Sequence, residues 1–205
     1  MSKFAICMLL AMLCRIGFAQ EAFSFNELLL QGASGYRPGK NQEYFLFNRA
    51  FPQGVRPDEE AAMITEWKSQ HPGAKVVPVS ILGEKSKMPI VYIWAVDGEA
   101  NLNLVLVRNG VYPALAMLDG TQLSQVLQSS KSTPYGQVLD AQERLGNPTG
   151  VPSRRLVSDP SCEDFLKRLV AAETTARVEL KGIWSDKFKR QRIQMGIAPL
   201  SAMQL

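Results

Sequence analysis

Seven consecutive residues, Ile90-Val91-Tyr92-Ile93-Trp94-Ala95-Val96, are apolar, and nearly all are β-branched or aromatic. Such a run reads as a strand. It has no alternating polar positions to give to water, so the chain must cover it on both faces. Just before it, Val76-Val77-Pro78-Val79-Ser80-Ile81 is a second strand-like run. Its proline lacks an N–H for the ladder and predicts an edge or a bulge. Gly83-Glu84-Lys85-Ser86-Lys87 forms the turn between the two. After the central run, Asp97-Gly98 is a turn signal. The stretch Leu102 to Val107, ahead of Arg108-Asn109-Gly110, fits a strand or a short helix. The spacing of Leu102, Val105 and Leu106 favours the helix, with Gly110 as its stop.

Helices and further strands supply the covering layers. Asp58 is placed to cap a helix, Glu59 and Glu60 suit the positive end of its dipole, and Ala62, Met63 and Trp67 recur at helical spacing. His71-Pro72-Gly73 ends it. Upstream, Phe25 with Leu28-Leu29-Leu30, and Tyr44 to Phe47, are strand-like pieces separated by a loop from Gly32 to Lys40 rich in glycine and proline. Downstream, Thr121–Gln128 and Gln137–Leu145 suit short helices around a polar linker, Ser129 to Pro134. Cys162 to Lys181 is the clearest helix. Ser161 is its expected cap with Asp164 three residues on. Its stripe is Phe165, Leu166, Leu169, Ala172, Ala176 and Leu180, and Gly182 is the expected stop. Ile183 and Trp184 follow as apolar anchors. The stretch 186–205 reads as a basic, flexible tail.

The first nineteen residues have the pattern of a signal peptide: Lys3, the apolar run Phe4 to Leu13, then Gly17-Phe18-Ala19 at a cleavage site. The run falls short of the roughly 20 residues that span a bilayer. Acylation of Cys14 is the alternative fate, set against by the bulky Leu13. This reading predicts an exported protein, periplasmic or secreted, with no transmembrane segment in the mature chain. Losing Lys3 and Arg15 lowers 23 basic residues to 21 against 19 acidic, a charge near +2. Binding to a polyanion would then be weak and salt-dependent. Only Cys162 remains, so no internal disulfide can form and the fold must rest on its core. About 185 mature residues suit one domain.

These pieces, in this order, resemble the staphylococcal nuclease (thermonuclease) family. The resemblance is carried by Tyr92-Ile93-Trp94-Ala95-Val96-Asp97-Gly98, by Leu102-Asn103, by Leu106-Val107-Arg108-Asn109-Gly110, and by Ala171-Ala172-Glu173, Ala176-Arg177 and Gly182-Ile183-Trp184. It covers a little over half of the chain. It implies an α+β domain over residues 20–185, an OB-fold-type five-stranded barrel packed against helices with a helical C-terminal part.

The family's chemistry is not carried over with the scaffold. Its members set an arginine just before the aromatic strand to stabilise charge building on the phosphate; Met88 stands there, with Lys85 and Lys87 nearby. A flexible lysine is a poor substitute for a bidentate guanidinium. The family's metal-binding phrase Asp-Gly-Asp-Thr is matched only by Gln31-Gly32-Ala33-Ser34. Its second phrase is matched by Gly54-Val55-Arg56-Pro57-Asp58-Glu59, where an arginine stands at a position that a hard cation would need filled by oxygen. Arg49, Asp58 and Glu59 are the candidate remnant of a catalytic site.

The chain therefore reads as a divergent member lacking the usual motifs, a non-catalytic binding or structural module without a cofactor. One alternative is a calcium-dependent nuclease acting on DNA or RNA; another is an envelope protein-interaction factor with a protein partner. The candidate contacts to nucleic acid or another polyanion are Lys85, Lys87, Lys187, Lys189, Arg190 and Arg192, with Phe188 available to stack on a base. His71, the single histidine, reads as a surface cap, and no metal-ligand spacing occurs. Trp67, Trp94 and Trp184 read as core.

Overall fold

A computed structural model describes residues 21–32, 34–46, 57–83, 87–114 and 154–194, with side chains described at all of these but 57, 155, 159, 160, 162, 163 and 191–194. The expected signal peptide (1–19), Arg49, Lys85, the expected helices 121–128 and 137–145, and the side chains of Cys162 and Arg192 lie outside the described residues.

The strands are β1 (Phe23–Ser24), β2 (Leu29–Gln31), β3 (Ser34–Tyr36), β4 (Glu43–Leu46), β5 (Lys75–Leu82), β6 (Ile90–Asp97), β7 (Ala100–Asn101) and β8 (Arg154–Arg155). The helices are α1 (Pro57–Gln70), α2 (Leu102–Arg108), α3 (Asp159–Val178) and α4 (Asp186–Gln194). The main sheet runs β1-β5-β6-β4-β3-β2, with β7 added to β6 and β8 to β5. Its neighbours are antiparallel except β4 and β6, which are parallel and are joined through α1 and β5. The two ends of the sheet, β1 and β2, belong to one short N-terminal segment. Only the 3-10 turn Phe25–Glu27 and Leu28 separate them. The sheet is therefore curled into a six-strand half-barrel, OB-like in coarse terms, within a mixed α+β architecture.

The central strand is covered on both faces, as its composition requires. Val91, Ile93 and Ala95 enter one core with Tyr44, Leu46, Val76, Ile64 and Trp67 of α1, and Leu102 and Leu106 of α2. Ile90, Tyr92 and Trp94 enter the other, under Phe165, Leu166 and Leu169 of α3. On β5 the pairing register shifts between Pro78 and Ser80. The bulge forms where proline has no N–H to give. It lets Val79 and Leu82 share the second core while Val76 and Ile81 share the first.

Several boundaries differ from the sequence reading. Ser34–Tyr36 is a strand and not loop. Gly35 lies so close to β2 that a Cβ there would overlap the Leu29 carbonyl, so the residue that signals a loop is what permits the pairing. Helix α1 begins at Pro57, which places Asp58 inside the first turn instead of at the cap. Helix α3 has Ser158, not Ser161, at its N-cap position, without a side-chain capping hydrogen bond, because Pro160 is tolerated within its first turn. Residues 186–194, read as part of an unpatterned tail, are helical and dock through Phe188 on Ala176, Ile183 and Trp184.

The end of α3 is built against the end of α2. Gly110 and Gly182 touch backbone to backbone: a Cβ on either would overlap a carbonyl of the other segment. The Ile183 N–H donates to the Gly110 carbonyl at 2.9 Å. Buried Glu173 accepts from the Ala114 N–H and from Arg177 Nε (2.7 Å), and the Arg177 guanidinium lies 3.8 Å over the Trp184 ring. Buried Asn103 ties α2 to β6, its Oδ1 accepting from the Ala95 N–H at 3.1 Å and its Nδ2 donating to the Ile93 carbonyl at 3.2 Å. The helix does not stop at Gly182. It stops at Val178, and beyond the cap Glu179 stands Leu180, with φ +52, whose N–H donates to the Arg177 carbonyl while that of Lys181 donates to Ala176. This is a Schellman ending with leucine where glycine is usual. The left-handed backbone costs a leucine about 1 kcal/mol.

Candidate functional site

The first turn of α1 holds three acids, Asp58, Glu59 and Glu60. Helical geometry sorts them. Glu60 lies four residues before Ile64 and seven before Trp67, on the stripe that enters the core; Asp58 and Glu59 face solvent. Glu60 is only 8% exposed and packs on the β2–β3 turn at Gly32, φ +64, where an added Cβ would stand 2.8 Å from its Oε1. That oxygen has no hydrogen-bond partner among the described residues. A buried carboxylate in this condition is costly unless something meets its charge.

Gly32 belongs to Gln31-Gly32-Ala33-Ser34, the phrase matched to the family's metal-binding one. The acid that reaches this turn is therefore Glu60, and not Asp58 or Glu59. The sequence contained the signal, a charged residue at an apolar stripe position.

The basic group before β6 lies elsewhere. Lys87 and Met88 sit in the entry to that strand, where the Lys87 carbonyl accepts from Asn41 and the Pro89 carbonyl from the Glu43 N–H at 3.1 Å. Met88 is 57% exposed. The register fixes how far this lies from Glu60. Ser34 stands opposite Phe45 with Gly32 beyond it, whereas Ile90 stands opposite Glu43 with Lys87 before it. Gly32 and Lys87 are thus at opposite ends of the paired strands, about 20 Å apart at ~3.3 Å per residue. The structure does not bring Lys87 to the acids of α1.

The other described basic candidates lie on the C-terminal helix. Lys187 and Arg190 are exposed on α4, and Lys189 pairs with Asp186 at 3.3 Å. Phe188, read from sequence as available to stack on a base, is partly buried against Trp184 and Ile183. His71 does more than cap a surface helix end. Its Nδ1 lies 3.2 Å from Asp97 Oδ2 and its ring 4.4 Å from that of Trp67, clasping the end of α1 to the Asp97-Gly98 turn. Trp67 and Trp184 are core residues, and Trp94 packs on Phe165.

Among the described residues, no three His, Cys, Asp or Glu side chains converge as a metal ion would need, and no helix is long and apolar enough to cross a membrane. No protein-family model matches the chain, and no curated protein or solved structure matches it either.

Proposed function

We propose that the chain is a divergent staphylococcal-nuclease-like domain that binds without hydrolysing. In this reading β1 and β2 are halves of one strand of a five-stranded OB-type barrel. The protein is exported through residues 1–19 and acts as a binding or structural module outside the cytoplasm, needing no cofactor. The scaffold part draws support from the meeting of two family-like phrases, Leu106 to Gly110 and Gly182 to Trp184, through their glycines. The observation that carries the non-hydrolytic part is the separation of Lys87 and Met88 from the acidic turn of α1. Phosphodiester cleavage of this type needs a cation and an acid facing one phosphate, within a few ångströms of it.

A second reading, a calcium-dependent nuclease, is favoured by one observation: on the turn that matches the family's metal-binding phrase, Glu60 holds a buried oxygen without a partner among the described residues. Incubating the purified protein with single-stranded DNA and with RNA, in calcium and in chelator, separates the two. We expect no cleavage above the buffer control in either condition. Calcium-dependent cleavage lost in Glu60→Ala or Glu59→Ala would establish the nuclease instead.

A further inference from the structure

We draw no further inference here: the strongest candidate, the side-chain cluster where Glu60 in the first turn of α1 meets Gly32 of the β2–β3 turn, belongs to the site already described and carries nothing beyond it.

Discussion

The two ends of this domain treat their buried carboxylates differently. Where α2 meets α3, Asn103 and Glu173 each satisfy both ends of the side chain, and two glycines allow backbones to touch. Where α1 meets the β2–β3 turn, Glu60 is also buried, and one of its oxygens has no partner among the described residues. Native interiors pair nearly all such groups, so the second arrangement is the one that asks for an explanation. At the first junction the carboxylate and the amide are met within the chain, while the Trp184 Nε1 has no hydrogen-bond partner among the described residues. At the second, the described residues leave one carboxylate oxygen unmet.

The largest effect should come from the first junction. Gly110 and Gly182 have φ of +67 and +50, and a Cβ on either overlaps backbone of the other segment, which cannot move aside as a side chain can. Gly110→Ala and Gly182→Ala should each cost more than about 3 kcal/mol, read by denaturant melts, or prevent folding. Either variant folding with a loss under about 1 kcal/mol would mean that the junction is looser than it looks. The contrast between the two ends would then disappear.

What could be read from sequence divides along the same line. Ile90 to Val96 has to be covered on both faces because its composition leaves no alternative, and Leu102 to Arg108 is a helix as its spacing favours. Pro78 announces a bulge by what it lacks. Gly182 was legible as a break, but its role, admitting the backbone of Gly110, depends on a residue far away in the chain. Ser34–Tyr36 was illegible because Gly35 carries the signature of a loop while serving close strand approach. Leu180 gives no sign of left-handed backbone at all. At the candidate site, Asp58 and Glu59 drew attention as members of a matched phrase. Glu60 was the better choice on spacing alone, since a stripe shared with Ile64 and Trp67 turns inward. The distance of Lys87 from that turn required the strand register, which no local pattern contains.

Glu60 itself sharpens the comparison. If its charge is uncompensated, the neutral and nearly isosteric Glu60→Gln should stabilise the fold by about 1 kcal/mol at neutral pH, as a rise in denaturant midpoint with unchanged slope. A loss of similar size would show that a cation meets this carboxylate in solution. That result would move Glu60 from an incomplete junction to a working site and strengthen the nuclease alternative.

The smallest effect separates the half-barrel interior from both junctions. Burial pushes the Tyr44 phenol above its ordinary value, while the Gln42 hydrogen bond and the nearby Arg37 partly oppose the shift. In the unfolded chain the phenol ionises near pH 10, whereas in the fold it holds its proton to higher pH. The folded state then binds more protons across that interval, so stability is fully present below about pH 10 and falls as pH rises through it. Tyr44→Phe should flatten this alkaline decline and leave the midpoint at pH 7 lower by no more than about 1 kcal/mol, the worth of one hydrogen bond. An alkaline slope identical in parent and variant would show that the phenol ionises as readily in the fold as outside it. The strand that pairs with β6 would then be more open to water than either junction.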